Sequence, residues 1–256
     1  MHLTDTHTHL YLSSFKNDID KVIARAVNNG IIKMFLPNID SNTIKPMNKI
    51  VADYEGYCFP MIGLHPTSVN GDFEKELIII ENEVASGNYI AVGETGIDLY
   101  HDKTYLKEQI MAFEKQIGCA LEFKLPIVIH ARDSYNELFV TLKKYKNSGL
   151  KGVFHAFTGT VSQADYIINE LNFKLGIGGI VTFKNSGLDK VVKEIDLRHI
   201  VLETDSPFLA PVPRRGKRNE SSYLVFIAEK VSQIKNMNQV EVAEITRHNA
   251  YGIFGK

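Results

Sequence analysis

The stretch Leu3-Thr4-Asp5-Thr6-His7-Thr8-His9-Leu10 opens the chain and decides between the folds that the rest of the sequence allows. Residues two apart on an extended chain point the same way, so His7 and His9 can offer two imidazoles to one cation at the end of a short first strand. A doubly wound open sheet would instead place a Gly-x-Gly-x-x-Gly turn here. The same His-x-His pattern would also occur if the two histidines were simply hydrogen-bonded residues of a half-exposed strand. The rest of the sequence must therefore decide whether His7 and His9 form a metal site.

Seven further short apolar runs follow, separated by segments with helical spacing. We predict strands at 31–37, 57–63, 89–93, 126–130, 151–155, 174–177 and 200–203. We predict helices at 16–29, 43–54, 73–86, 105–123, 134–145, 161–171 and about 188–195, and two closing amphipathic helices at 223–234 and 240–254. This alternation over 256 residues predicts an α/β protein, a single-domain (β/α)8 TIM barrel. Three consecutive isoleucines, Ile78, Ile79 and Ile80, suggest that the third helix packs deeply.

The composition is that of a globular protein without an overall positive charge. A hydrophobic content of 44% with 23% charged residues is ordinary for a globular chain. The formal net charge of -1 gives no overall positive field, so any nucleic-acid binding must come from a local patch. Cys58 and Cys119 fit no metal-ligand spacing and indicate buried thiols in a reducing compartment. With no long apolar run or signal segment, we expect a cytoplasmic protein with no membrane partner and no obligate protein partner.

Titratable residues cluster at the carboxyl ends of the predicted strands, where barrel enzymes carry their catalytic groups. Five of the nine histidines lie there, and so do three acidic residues: His7, His9, His65, His130, His155, Glu94, Glu203 and Asp205. Imidazoles and carboxylates without thiolates suit Zn²⁺, Mn²⁺, Mg²⁺ or iron. This set exceeds what one ion needs, whereas two ions sharing a bridging carboxylate would use it all. Glu94, which lies between the other groups around the ring, is the natural bridge.

The two carboxylates near the end of the eighth strand could have structural roles instead of binding a metal ion. Glu203 and Asp205 are two residues apart and both face the interior of the predicted barrel. Asp205 ends an apolar run, where an unpaired buried carboxylate is costly without a cation. Glu203 fits a structural ion pair as well as a ligand role, and Asp205 could instead cap a helix before Ser206-Pro207.

Candidate phosphate-binding residues accompany the predicted metal ligands. Arg132, two residues beyond His130, can reach the same cavity and bind a phosphate through two hydrogen bonds, unless it pairs with Asp133 or a helix. His65 precedes Pro66 and could equally be a turn residue. A basic segment follows the eighth strand and is either a solvated loop or a polyanion contact: Arg214-Arg215-Gly216-Lys217-Arg218.

Taken together, six segments of the sequence resemble the TatD-like metal-dependent deoxyribonucleases, a family of the amidohydrolase superfamily of barrels. The segments are His7-Thr8-His9, Gly63-Leu64-His65-Pro66, Gly93-Glu94-Thr95-Gly96-Ile97-Asp98, His130-Ala131-Arg132-Asp133, His155-Ala156-Phe157-Thr158-Gly159 and Glu203-Thr204-Asp205-Ser206-Pro207. They span nearly the whole chain in order. Two departures are Ser221, where the family's stretch after Gly216 usually has proline, and Leu99, where an aromatic usually follows the aspartate.

The resemblance implies roles for these residues. The implied metal ligands are His7, His9, Glu94, His130, His155 and Asp205, with Glu94 in place of the carbamylated lysine of many relatives. His65 is implied to hold substrate phosphate. The resemblance also implies 3′-to-5′ removal of nucleotides from single-stranded ends.

We therefore expect a metal-dependent phosphodiesterase that acts on DNA. Asp205 would take the proton of the attacking water, and Glu94 would bridge the ions. The expected substrate contacts are His65, Arg132, Glu203, Arg214, Arg215 and Arg218. The alternatives are a binuclear amidohydrolase acting on a small amide, lactone or cyclic ureide, a hydrolase acting on tRNA or abasic DNA, and a barrel that serves only as an interaction module.

Overall fold

The computed structural model describes all 256 residues and shows eight parallel strands alternating with helices. The strands are β1 (Leu3–Asp5), β2 (Ile31–Pro37), β3 (Cys58–Met61), β4 (Val92–Asp98), β5 (Ile127–Arg132), β6 (Gly152–Phe154), β7 (Lys174–Ile177) and β8 (Ile200–Leu202). The helices are α1 (Ile19–Asn28), α2 (Ser41–Asp53), α3 (Phe73–Ala85), α4 (Leu106–Glu122), α5 (Tyr135–Lys143), α6 (Val161–Asp165), α7 (Leu188–Glu194), α8 (Leu224–Lys235) and α9 (Gln239–Phe254). The predicted α/β barrel is confirmed.

The strands form a closed ring in chain order. Regular ladders join β1 to β3 and β4 to β8, and single bridges connect the two groups. At one junction the Gly93 N–H donates to the Ile62 carbonyl at 2.8 Å. At the other, the Thr6 N–H donates to the Leu202 carbonyl at 3.1 Å, so the first and last strands meet. All eight carboxyl ends therefore open on the same face of the barrel.

A closely packed core fills the barrel and the layer between its strands and helices. Inward-facing side chains such as Phe35 of β2, Val128 of β5 and Val201 of β8 pack together inside the ring. Phe254 of α9 joins this inner cluster, so the last helix closes the amino-terminal end of the barrel. The opposite end is left for polar side chains. None of the helices combines the length and the apolar character that crossing a lipid bilayer requires.

Strand β4 differs most from the prediction, because it extends to Asp98 instead of ending at residue 93. The apolar run stops at Gly93, yet all seven residues of β4 are buried. Gly96 (φ +140°) allows this continuation, because a Cβ there would lie 2.2 Å from the His130 carbonyl oxygen on β5. The close approach of the two strands places Glu94 inside β4 and Asp98 at its end.

Two helix predictions need correction. Ile80 is fully buried, but Ile78 is 59% exposed and Ile79 41%, so the expectation that all three pack deeply is wrong. Only one face of α3 covers the barrel, and that face carries the buried Leu77, Ile80 and Val84. The helix predicted at 161–171 is α-helical only to Asp165, and one π-helical turn, Tyr166–Glu170, follows.

Candidate metal centre

Glu94 lies at the centre of the polar cluster that occupies the open end of the barrel. Its side chain is buried, and its two oxygens lie within 4 Å of a nitrogen of every histidine that the sequence placed at a strand end. The distances are 3.0 Å to His7, 3.8 Å to His9, 3.5 Å to His65, 2.8 Å to His130 and 3.7 Å to His155. Burial opposes the ionisation of Glu94, but the charges of His7 and His155 outweigh it and hold its pKa well below the usual range. The structure thus brings together residues from five separate strands.

Asp205 completes the cluster from the β8 side. Its Oδ1 lies 3.5 Å from His9 Nε2 and 3.8 Å from His155 Nε2. The Asp205 N–H donates to the His7 carbonyl at 2.9 Å, so the backbone after β8 is fixed to the backbone after β1. Both segments lie beyond the strands themselves, since β1 ends at Asp5 and β8 at Leu202.

The buried Asp5 carboxylate ties the same two segments together beneath the cluster. It accepts hydrogen bonds from the Thr204 N–H at 2.8 Å and the Thr204 hydroxyl at 2.6 Å. Burial raises the pKa of Asp5 to about 7, although these hydrogen bonds oppose the shift. Asp5 therefore has a structural role, holding the first and last strands in register below the ligand groups.

Tyr11 determines which nitrogen of His9 faces the cluster. The Tyr11 hydroxyl lies 2.6 Å from the Pro37 carbonyl, which can only accept, so its single proton is donated there. The hydroxyl must then accept a hydrogen bond from His9 Nδ1 at 2.9 Å. His9 Nε2 is left with a lone pair that points toward two carboxylates, Glu94 and Asp205. That arrangement is unfavourable unless a cation lies between them.

Asp98 orients His130 in the same way. Its Oδ2 lies 2.9 Å from His130 Nε2 and 2.9 Å from His101 Nδ1. With Nε2 directed at this carboxylate, His130 Nδ1 is the nitrogen that faces Glu94. The sequence places Asp98 in the segment Gly93–Asp98 without assigning it a role, although its even spacing from Glu94 would place both side chains on one face of a strand continuing past Gly93.

Glu203 supports His155 from below and is 1% exposed. It accepts a hydrogen bond from the Ala156 N–H at 2.6 Å, and its Oε1 lies 2.9 Å from His155 Nδ1, poorly aligned for a hydrogen bond. A Cβ at Gly176 would lie 2.3 Å from this carboxylate, so glycine is needed there. Burial lowers the pKa of His155, but the charges of Glu203 and Glu94 outweigh it and raise the value to about 10. The placement agrees with the ion-pair alternative, and a substrate contact stays a prediction.

The donor set fits divalent cations. Three groups of residues each bring their ligand atoms within 4.8 Å of one another: His7, His9 and Glu94; His65, Glu94 and His130; and His7, His155 and Glu203. His7 Nδ1 is buried without a hydrogen-bond partner, and the His7 ring stacks on the His155 ring with centroids 3.4 Å apart. Buried polar atoms are normally satisfied, so this one favours a ligand role. His65 is one of these candidate metal ligands, because it groups with Glu94 and His130. Its predicted role in binding substrate phosphate stays a prediction.

A cleft of about 860 Å³ opens beside the cluster and includes His130, His155 and Asp205 in its walls. Arg132 projects into this cleft, and its guanidinium carbon lies 4.0 Å from the centre of the Tyr100 ring. The alternative ion pair with Asp133 is not formed. Arg132 is therefore a free cation beside the predicted metal ligands, in the position expected of a phosphate-binding residue.

The arginines of the basic segment, Arg214–Arg218, lie away from the cleft that contains Arg132. Arg218 donates to both oxygens of Asp18, at 2.8 and 2.7 Å, and to the Ser14 carbonyl at 2.6 Å. Arg215 stacks on Phe183 at 4.4 Å, and Arg214 lies 5.5 Å from the Tyr223 ring centre. Arg214 and Arg218 line a second cleft of about 480 Å³, and none of the three arginines lines the cleft beside the cluster. Their predicted contact with substrate stays a prediction.

A closed (β/α)8 barrel with imidazoles and carboxylates gathered at its carboxyl-terminal mouth defines a metal-dependent hydrolase. Comparison with known proteins specifies the family. The sequence profile described as "TatD related DNase" matches residues 4–255, which is nearly the whole chain. The chain belongs to this TatD-related DNase family.

Two curated relatives are similar to the chain over nearly their whole length, and one solved structure shares its fold. The chain is 37% identical over 253 residues to the "Uncharacterized metal-dependent hydrolase YabD" of Bacillus subtilis, covering 98% of each chain. It is 30% identical over 258 residues to the "Uncharacterized metal-dependent hydrolase YcfH" of Escherichia coli, covering 99% of this chain and 96% of YcfH. The crystal structure of YjjV, a TatD homologue from E. coli, superposes with a TM-score of 0.89 at 24% identity, covering 99% and 98% of the two chains.

Proposed function

We propose that this protein hydrolyses phosphodiester bonds of DNA, as a 3′-to-5′ exonuclease on single-stranded ends, with up to two divalent ions (Mg²⁺, Mn²⁺ or Zn²⁺). The observation that carries the proposal is the unpaired Arg132 guanidinium in the cleft beside the Glu94 cluster. A free guanidinium next to a divalent-metal centre matches a substrate with a phosphate at the reacting position. The family description adds DNA as the source of that phosphate.

Different residues of the chain have different roles in the proposed hydrolysis. The candidate ligands around Glu94 would hold divalent ions, which when bound would polarise the scissile phosphate and lower the pKa of a bound water from ~15.7 towards ~7. Asp205, at the edge of both the cluster and the cleft, accepts the proton of the attacking water. Arg132 holds the non-bridging phosphate oxygens, and His65 approaches them from the β3 side. Glu94 bridges the two halves of the ligand set.

One observation favours a second candidate, a binuclear amidohydrolase acting on a small amide, lactone or cyclic ureide. Arg214, Arg215 and Arg218 do not line the cleft beside the cluster, so the basic segment gives less independent support to a polyanionic substrate than its sequence suggests. The same ligand groups would serve either reaction. The two candidates differ in whether a phosphate or a small neutral substrate occupies the site beside Arg132.

The test is to incubate the metal-free protein with labelled single- and double-stranded DNA and to add one divalent ion at a time. We expect nucleotides to be released only after an ion is added. A label at either end shows the polarity, and cleavage should start from the 3′ terminus of single strands. Chelator and heat-inactivated protein are the controls. Hydrolysis of a cyclic ureide or lactone, without release of nucleotides under any ion, would favour the second candidate.

We also propose a cytoplasmic location. Both cysteines, Cys58 and Cys119, are buried and unpaired. Burial raises the pKa of the Cys58 thiol to about 12, so it stays protonated and unreactive at neutral pH. Unpaired thiols of this kind are usual in a reducing compartment. Measuring the distribution of the tagged protein between cell fractions tests the location.

A further inference from the structure

The large cleft lies on one side of the candidate metal centre. Every residue of its walls comes from β5 or from the segments that follow β4 to β8, and none from those after β1, β2 or β3. Helix α7 contributes Leu188, Lys190 and Val191 to its walls. At about 860 Å³ the cleft lies near the upper end of the range of about 300–1,000 Å³ for ligand pockets, so it has room for more than one phosphodiester group.

Two cations line this cleft at different points. Arg132 is on β5, two residues beyond the candidate ligand His130, and Lys190 is on a different element, α7. Neither side chain forms an ion pair, and Lys190 is exposed. Lys193, on the same helix, is exposed but lies outside the cleft. Two free cations at separate points fit a ligand with at least two separated negative charges.

An apolar wall accompanies these cations. Gly179 approaches the segment after β8 so closely that a Cβ would lie 2.1 Å from the Leu209 carbonyl oxygen. As a result, Ile180 and Leu209 both present aliphatic side chains to the cleft. Leu209 is 40% exposed and has a φ of +53°, a conformation that costs a residue with a Cβ roughly 1 kcal/mol or more. A leucine held at the surface in this way offers an apolar contact to a ligand.

We propose that the cleft is a subsite for the nucleotide next to the one whose phosphate is cleaved. Lys190 pairs with the second phosphate, and Leu209 and Ile180 pack against the base. The strand then leaves the metal centre across the loops after β5 to β8. The subsite rests on the proposed nuclease function and adds to it a preference for substrates with at least two phosphates.

The test compares thymidine dinucleotide, which has one internucleotide phosphate, with the trinucleotide, which has two. We expect a higher kcat/KM for the trinucleotide. Lys190→Gln should reduce the trinucleotide-over-dinucleotide preference about 3- to 10-fold, the loss expected for one exposed ion pair to a phosphate. Lys193→Gln removes an equivalent charge from the same helix outside the cleft, so it should retain the preference of the wild type.

Equilibrium binding provides a readout that does not depend on turnover. In an Asp205→Asn background, Lys190→Gln should reduce the slope of log K against log salt for a labelled thymidine hexanucleotide by about 0.7. Leu209→Asn keeps a residue that tolerates a positive φ and removes the aliphatic side chain. This variant should weaken hexanucleotide binding and leave the binding of inorganic tripolyphosphate unchanged.

The outcomes separate this inference from the proposed function. DNA cleavage without a trinucleotide preference, or equal behaviour of Lys190→Gln and Lys193→Gln, would overturn the subsite and leave the nuclease proposal standing. Equal losses of hexanucleotide and tripolyphosphate binding in Leu209→Asn would overturn the base contact. Absence of DNA cleavage by the wild type with every ion would overturn both.

Discussion

At the scale of single residues, the orientation of the candidate ligands depends on groups that touch no ion. The Tyr11 hydroxyl directs His9 Nε2 at the cluster, and Asp98 does the same for His130 Nδ1. Groups of this kind fix the tautomer and the ring angle of a metal-binding histidine. Their contribution can be measured without assuming a substrate.

Tyr11→Phe should weaken metal binding about 10- to 100-fold, because His9 Nδ1 loses the acceptor that keeps its proton away from Nε2. Competition against a metal-binding dye measures the change. Tyr89→Phe is a matched control: Tyr89 is also buried, its hydroxyl bonds to Asn48 and Glu83, and it is remote from the cluster. Equal metal affinities for the two variants would contradict the role of Tyr11.

Asp205→Asn should reduce kcat about 10²- to 10⁴-fold while retaining most of the substrate binding, because the amide has a similar volume but cannot accept a proton at neutral pH. Asp205 is also a candidate ligand, so the number of bound ions must be determined by elemental analysis of the same sample. Near-normal kcat in a fully metallated variant would assign the base to another group.

The ligand types were predictable from the sequence, but the residues that orient them were not. The topology of a barrel gathers strand ends, so histidines and carboxylates at those ends indicate a cluster even when the strand bounds are inexact. Tyr11 acts on His9 through the Pro37 carbonyl at the end of β2, a contact that exists only once the strands are assembled. The contact of Glu203 with His155 could not be predicted either, because it depends on the space left by Gly176 on β7.

At the scale of elements, the segment between β8 and α8 is held on α1 by ion pairs. Arg218 bonds to Asp18, and Arg25 donates twice to Glu220, at 2.8 and 2.6 Å. The hydrogen bond from Arg218 holds the pKa of Asp18 below its usual range. Burial opposes the ionisation of Glu220, but Arg25 outweighs it and lowers its pKa. A cluster of positive charge in the sequence is thus partly neutralised by the fold.

Arg218→Gln should lower the free energy of unfolding at pH 7 by up to about 1 kcal/mol, the usual worth of a partly exposed ion pair. Because the folded pKa of Asp18 is lowered, its stabilisation is present above the unfolded value of roughly 4 and is lost as the pH falls through the folded value. The difference from the wild type should therefore stay nearly constant from pH 7 to about pH 5 and shrink as the pH falls below about 4. Urea unfolding in chelator measures it.

A second pair on the surface serves as the control for this measurement. Arg198→Gln breaks the more exposed pair with Asp196 and should cost less. A larger effect of Arg198→Gln, or a difference for Arg218→Gln that grows toward acid pH, would show that Arg218 does not hold the segment in this way.

The double variant Arg214→Gln and Arg215→Gln tests the rest of the basic segment. If both arginines contact a single strand, the slope of log K against log salt should flatten by about 1.4, or roughly 0.7 per contact. Binding of a fluorescent oligonucleotide measures the slope. An unchanged slope would remove the basic segment from the substrate contacts and leave Arg132 and Lys190 as the cations to consider.

The elements that the sequence predicted well have uniform apolar patterns. Strands β2 and β7 have the bounds that their short apolar runs indicate. Strand β4 does not, because its polar residues and glycines are buried by the polar cluster around Glu94 and by close contact with β5, and neither reason is visible in hydropathy. The exposed Ile78 of α3 shows the reverse case, an apolar residue that the fold leaves outside.

At the scale of the whole molecule, divalent ions should stabilise the barrel, since their candidate ligands come from different strands. Binding to the folded state alone at 100 times Kd contributes about 2.7 kcal/mol, which for a domain of this size raises Tm by roughly 5–11 °C. Thermal unfolding with each ion and with chelator measures the shift. Glu94→Gln should show a smaller shift and fewer bound ions, and an unchanged Tm with saturating ions would refute a ligand set shared among strands.

The junction between the first and last strands also has a consequence for biosynthesis. Thr6 and Leu202 pair across 196 positions of the chain, so His7 and His9 leave the ribosome long before Asp205 exists. At roughly 5–20 residues per second, the interval is on the order of 10–40 s. During that time His65, Glu94, His130 and His155 are added one after another, but the ring of strands that brings them together cannot close until β8 pairs with the segment after β1. Metal loading is therefore a late event, and a ribosome-bound chain stalled before β8 should not retain the ion that the finished protein holds.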